Sequence, residues 1–483
     1  MSTPFAIVYK ILLTMPLYFV DFIILLSIQK VNINFLKIGE PSERRKEAKA
    51  GVLHLGDKVD MIIHNVFHTS SDTVRPVLRV KKRRRVFVKV VLSTPCHFGL
   101  ESVLASEIRR MGGENLEVTD GRITFEGEEN MIARANICLR TAERVQLVLG
   151  RFEARSFEEL FQGVRKIPFE DYIGKKDAFP VKGGWSLKSQ LFSISDCQSI
   201  IKKAIVTRLQ EVYNLSWFEE TGTTYAVEFG INHDNVMITL DTTGVGLHKR
   251  GYRKNAVLAP IKETLAAGII DLAHLYPDSQ LYDPFCGSGT MLIEGAMHAL
   301  RIAPGLRRRF AAEQWDWLPQ TEWQQERQRA FDLIKRDAPF RAYGSDIDPE
   351  AVELAQYNAK QAGVGARIEI VQRDVKDFSI PKEKGVVICN PPYGERLLDL
   401  KTAQDIYQTM GEVFHQGYPH RYYIISPDME FEKSFGRVAD KRRKLYNGMI
   451  PCQLYMYFKE ESTPAPKLSA KSNAKKWSPK QGR

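Results

Sequence analysis

The sequence predicts an α/β protein: a doubly wound, mostly parallel sheet closed by a C-terminal antiparallel hairpin and preceded by an α+β region. Three observations carry this. From residue 246 onward, short apolar strands alternate regularly with helical segments, the signature of a parallel sheet. Three of those strands end in acid-bearing turns, DPFCGSGT, GSDIDP and QRDVKDF, and a fourth ends in NPPYGERL. Finally, the chain has 483 residues, 43% hydrophobic and 26% charged, so it can bury cores and is neither disordered nor collagenous.

The first 85 residues stand apart. Ile11 to Gln29 approaches the length of a membrane span, but Asp21 lies at its centre and Pro16 breaks its first half. A central Asp costs about 2.5–3.5 kcal/mol on insertion. An anchor, a buried helix and an over-extended start of the reading frame are the readings open for this segment, and the last is the expectation. A KKRRR run follows at 81–85.

Order begins at Val86. VFVKVVLSTP reads as a strand, and the stretch after it as a helix, with Leu100, Val103, Leu104 and Ile108 on one face and Gly112-Gly113 as its stop. GRITFEG alternates as a strand, and residues 130–150 read as a helix running into a strand. SFEELFQGVRKIPFEDYI is amphipathic. Strands are expected over 185–194 and 225–240, with a helix from Ser195 to Tyr213 between them. A basic loop, GLHKRGYRK, then leads into a helix and the βα series. RKLYNGMI and QLYMYFK read as antiparallel strands on either side of Pro451. The last residues, 463–483, lack any apolar period and read as disorder.

Charge and cysteines narrow the class. The 69 basic and 58 acidic residues give +11. Residues 1–85 carry +8 and the tail +6, which leaves 86–462 at −3. Polyanion binding must therefore rest on local clusters such as 248–254, 307–309 and 441–444. Six cysteines, no two within four residues of each other, exclude a disulfide scaffold and a CxxC metal site. They point to a reduced, cytoplasmic protein; separately, no metal and no stable membrane partner are expected.

The strand-end motifs carry the chemistry. Gly287 and Gly289 let the backbone turn sharply and approach a ligand closely. Alone this GxG is weak: no GKS or GKT follows, and the third glycine of a dinucleotide fingerprint is missing. Asp346 stands where an acid can accept both hydroxyls of a ribose, and Asp348 suits the N-cap of a helix with Pro349 at its first position. The 63 residues between Asp283 and Asp346 far exceed a compact βα unit, so 302–338 is an inserted helical stretch, holding Arg307, Arg308 and Arg309. Asp374 is a third acid at a strand end, where an ordinary turn residue is the competing reading. In NPPYGERL two prolines remove donors and leave acceptors, beside the Asn390 amide and the Tyr393 ring. This set suits a planar base with an exocyclic amine: two N–H bonds go to the Asn390 oxygen and the Pro391 carbonyl, and the ring stacks.

DPFCGSGT, GSDID, RD and NPPYGERL together resemble the S-adenosylmethionine-dependent methyltransferases that methylate amines. With the preceding α+β region, the LHKRGYR loop and the APIKETLA helix, the chain is similar to the THUMP-domain RNA guanine-N2-methyltransferases over about 86–459. It looks most like the methylase half of the bifunctional large-subunit (23S) rRNA family. The resemblance implies a Rossmann-like class I methyltransferase domain at 246–462, a ferredoxin-like part at 86–129 and an RNA-binding THUMP domain at 130–245. It implies that Asp283, Gly287, Ser288, Gly289 and Thr290 line the methionine part of S-adenosylmethionine, that Asp346 holds the ribose, and that Asp374 holds the adenine amine. It places the target base on Asn390, Pro391, Pro392 and Tyr393, and structured RNA near His248, Lys249, Arg250 and Arg253. The expected reaction is methylation of a guanosine N2 amine in 23S rRNA. A tRNA guanine-N2 target and a DNA adenine-N6 target are the alternatives, since NPPY is shared with adenine methylases. An inactive, membrane-anchored RNA-binding protein is the rival of another class, and the intact Asn390 set argues against it.

Overall fold

The computed structural model describes residues 89–253, 261–379, 385–393, 400–414 and 420–459. The apolar stretch 11–29, the basic run 81–85 and the tail 463–483 lie outside them.

The first sheet is built from β1 (Lys89–Pro95), β2 (Glu114–Thr119), β3 (Arg122–Glu128), β4 (Gln146–Glu153), β5 (Val181–Leu187), β6 (Val227–Asn232) and β7 (Asn235–Asp241). Their order is β2-β3-β1-β4-β7-β6-β5. Between these strands run α1 (Glu101–Met111), α2 (Asn130–Cys138), α3 (Phe157–Arg165) and α4 (Ile194–Tyr213). Gly112 ends α1 in the left-handed region at φ 92°, as expected. Ser156 and Glu159 form a reciprocal capping box at the start of α3.

Three details differ from the sequence expectation. β2 is an added strand: ENLEVT is almost wholly exposed, so this edge strand shows no buried alternation. The strands expected over 225–240 form a hairpin whose turn the sequence reading did not place, at His233 and Asp234, both at positive φ. β5 begins at Val181, ahead of the expected 185, and pairs parallel with β6.

The second sheet holds β8 (Gln280–Asp283), β9 (Arg341–Asp346), β10 (Ile368–Gln372), β11 (Val386–Cys389), β12 (Arg421–Ser426), β13 (Lys441–Asn447) and β14 (Ile450–Tyr457). The order is β10-β9-β8-β11-β12-β14-β13, parallel through β12, with β14 and β13 antiparallel. Flanking helices are α5 (Glu263–Leu272), α6 (Thr290–Ala299), α8 (Pro349–Gln361), α9 (Leu400–Phe414) and α10 (Phe431–Phe435), while α7 (Gln320–Asp332) packs on α2 of the first half. The hairpin turns at Gly448, φ 68°, so Pro451 lies inside β14 rather than at the turn. It is tolerated there because the β12 ladder reaches only Gln453, so its missing N–H removes no bond on that side.

Only the ends of the insertion 302–338, Ile302 and Ala338, pack on the second sheet's core. Phe310, Trp315, Leu318 and Trp323 bury themselves in the core of the first sheet. Trp315 stacks on Tyr225 at 5.0 Å, and Arg134 clasps the carboxylate of Glu326 at 2.6 and 2.8 Å. The inserted stretch is thus an arm by which the second half of the chain holds the first. Among the described residues, no helix is long and apolar enough to cross a membrane.

Candidate active site

The chain runs from β8 through β9 to β10 on one side, then returns to β11 on the other. Such a reversal opens a crevice at the carboxyl ends of the strands. A cavity of about 590 Å³ occupies it. Asp283, Gly287, Ser288, Thr290, Asp346, Asp374, Asn390, Pro391, Pro392 and Tyr393 all line it. Of the eleven residues expected here, Gly289 alone does not line it. Gly289 makes the turn into α6 at φ 80°, where a Cβ would sit 3.1 Å from that of Ala355.

Each acid is held by backbone donors. Asp346 accepts the Gly287 N–H at 2.8 Å on one oxygen and the Asp348 N–H at 3.1 Å on the other. A carboxylate has about four lone-pair sites, so capacity remains for two further donors. Gly287 reaches this position at φ 49°. Asp348 caps α8, accepting from Glu350 at 2.9 Å with Pro349 next to it, as the sequence indicates. Asp374 accepts the Lys376 N–H at 3.1 Å, which with the lysine's own charge holds its carboxyl below the usual range. Asp283 is different. It is 1% exposed, and burial pushes its carboxyl up to about 8, against the Phe285 N–H it accepts at 3.1 Å. A buried acid of this kind is poised for a cationic partner, which would restore its charge.

The NPPY loop is pinned from behind by residues outside the sequence motifs. Tyr407 of α9 donates to the Pro392 carbonyl at 3.3 Å and accepts from Ser426 at 3.3 Å. Asn447, at the end of β13, donates to the Tyr393 hydroxyl at 3.0 Å. Asn447-Gly448 reads in sequence as a turn dipeptide, which hides this role; Tyr407 reads as a core aromatic. Asn390 is half-buried, while Pro391 and Tyr393 are buried. The walls are completed by Ile261, Phe285, Met291 and Ile406.

The four expected RNA contacts separate. Lys249 is exposed. His248 is partly buried, with Nδ1 3.4 Å from Glu143. Arg250 is not a surface contact: its side chain is 1% exposed, faces the fully buried Glu294 at 3.4 Å and donates to the Leu247 carbonyl at 2.7 Å. A buried Glu on α6 requires that cation. Arg253 also turns inward, donating to the Thr290 hydroxyl and, at 3.1 Å, to the Ile261 carbonyl.

This fold and crevice define an S-adenosylmethionine-dependent methyltransferase: a glycine turn that admits close approach, an acid at the next strand end, and a third acid beyond it. Residues 250–456 match the RMKL-like methyltransferase domain, 92–146 the RlmL ferredoxin-like domain and 154–241 the THUMP domain. The chain is 42% identical over 372 residues to "Putative RNA methyltransferase YpsC" of Bacillus subtilis, covering 77% of this chain and 96% of that one. It is 33% identical to the ribosomal RNA large subunit methyltransferase K/L of Shewanella amazonensis, over 74% of this chain but about half of that longer relative (52%). Its fold is similar to SMU.472, a putative methyltransferase solved with SAH, at TM-score 0.74 and 40% identity over 78% of this chain and 99% of that one. The chain belongs to the RMKL-like, THUMP-bearing methyltransferase family.

S-adenosylmethionine carries a positive charge, so its binding should favour the Asp283 carboxylate, release a proton near neutral pH and tighten as pH rises from about 6 toward 8. Calorimetry in buffers of different ionisation enthalpy measures this, and a pH-independent affinity that Asp283→Asn leaves unaltered contradicts it. Asn447→Ala should slow single-turnover methyl transfer about tenfold, an effect largely absent in a Tyr393→Phe background. Additive effects in that double-mutant cycle contradict a role through Tyr393.

Proposed function

We propose that this protein transfers a methyl group to the exocyclic N2 amine of a guanosine in 23S rRNA, in the cytoplasm. The observation that carries the reading is the placement of the Asn390–Tyr393 loop and the three acids on one cavity. When bound, S-adenosylmethionine supplies an electrophilic methyl on sulfur. Asp283, Gly287, Ser288 and Thr290 hold its methionine end, Asp346 its ribose and Asp374 its adenine.

The Asn390 amide oxygen and the Pro391 carbonyl accept hydrogen bonds from the two N–H groups of the target amine; transfer would form the N–CH3 bond as the S–CH3 bond breaks, release the neutral thioether and pass the surplus amine proton to bulk water. That hydrogen bonding draws the nitrogen lone pair out of conjugation with the ring and points it at the methyl. Tyr393, anchored by Asn447, bounds the base plane. Asp346 and Asp374 are engaged by backbone donors and Asp283 is buried beneath the glycine turn, so none is offered as the base. Catalysis then rests on orientation for in-line displacement, with the base drawn out of its stack at a cost of a few kcal/mol. RNA as substrate is supported by the THUMP match and by the names of the K/L relatives and YpsC.

The test is nucleoside analysis of ribosomal RNA from wild-type and deletion strains. The deletion should lose one N2-methylguanosine from the large-subunit RNA, restored by the wild-type gene but not by Asn390→Ala. Unchanged large-subunit N2-methylguanosine, or a loss confined to tRNA, overturns the assignment.

A further inference from the structure

The inserted arginines meet the basic loop at a second cavity, of about 690 Å³. Lys249 and Arg250 come from one wall, Arg307, Arg308 and Arg309 from another, and the end of α8 closes it. Five cations therefore border one space, and among the described residues no Asp or Glu lines it. This convergence is unexpected in a body whose residues 86–462 sum to −3.

The five are not equivalent. Arg250 is neutralised by buried Glu294, and Arg309 pairs with Glu313 at 3.0 Å. Arg308 is 9% exposed, yet its described partners are neutral: the carbonyls of Leu247 at 3.2 Å and Val245 at 2.5 Å, and the face of Phe310 at 5.2 Å. Burial and the neighbouring Arg250 charge push its guanidinium down to about 10. A buried cation that touches no carboxylate is costly. The carbonyls also fix its orientation, as a preorganised anion receptor requires. Lys249 and Arg307 are exposed at the rim, and the Arg307 guanidinium lies over Gly363, at the positive-φ turn after α8.

We infer that this cavity is a phosphate-binding site, built by Arg308 with Lys249 and Arg307, that grips the backbone of the substrate RNA. The inference rests on the RNA methyltransferase reading. A backbone is favoured over a free anion because the rim cations carry the positive charge outward onto the surface, where a polymer continues. The loop that supplies Lys249 also runs on to Arg253, whose guanidinium meets Thr290 in the cofactor turn. One short segment therefore borders the phosphate site and touches a residue, Thr290, that lines the methyl-transfer cavity.

The test uses the full chain and a transcript of the large-subunit rRNA. Lys249→Ala/Arg307→Ala, both at exposed positions, should weaken transcript binding about tenfold or more at 0.1 M salt. It should flatten the slope of log K against log salt by about one for each phosphate no longer neutralised, while S-adenosylmethionine affinity stays at the wild-type value. Unchanged transcript affinity and slope in the double variant overturn the site. Stabilisation of wild-type protein by inorganic phosphate alone, with those RNA quantities unchanged, assigns the cavity to a free anion and overturns the RNA assignment. Wild-type protein that fails to bind the transcript overturns the proposed function and this site with it.

Discussion

The carboxylate of Asp346 ties the active site together. It accepts one backbone N–H from the glycine turn after β8 and one from the start of the α8 cap, at 2.8 and 3.1 Å. Hydrogen bonds to a carboxylate contribute about 1.5–3 kcal/mol each; the Gly287 bond ties the turn after β8 to the end of β9, and the Asp348 bond fixes the turn from β9 into α8. The constraint propagates into sequence. Gly287 must reach a positive φ to point its N–H at the acid, and Gly289 must turn the chain against Ala355. The result is a backbone turn that lines the cavity, with the buried Asp283 beside it in the same wall.

The opposite half of the cavity depends on distant chain. Tyr393 is fixed through Asn447, which ends β13, and the next residue back, Tyr446, sets its ring edge-on to Phe98 at 6.0 Å. Phe98 belongs to the loop after β1, in the first half of the protein. The region matched to ferredoxin-like and THUMP domains is therefore joined to the NPPY loop by one hairpin. The insertion makes a second join, burying its tryptophans in the first sheet's core and presenting its arginines beside Lys249. These two joins hold the first half of the protein against the half that carries the candidate active-site cavity.

Legibility follows the range of the interactions. The strand-end acids, the glycine turn, the NPPY loop and the βα alternation rest on local backbone demands, and the cavity gathers the residues those motifs name. Edge strand β2 has no buried face to betray it, and Pro451 resembles a turn residue because its ladder partner lies in another strand. Arg250 resembles an RNA contact because its partner, Glu294, is 44 residues away and fully buried. Asn447 and Tyr407 act across tertiary contacts, and no local pattern marks them. The excess length before Asp346 is legible as an insertion, but its burial in the other half of the molecule is not.

In the proposed reading, one cavity is divided between a cofactor half organised by Asp346 and a base half organised by Asn390. Calorimetric titration of S-adenosylmethionine into Asp346→Asn and Asn390→Ala tests that division directly. The account predicts that Asp346→Asn weakens binding at least tenfold, about 1.4 kcal/mol, while Asn390→Ala binds as wild type does. Wild-type affinity in Asp346→Asn, or an equal weakening in both variants, would contradict it.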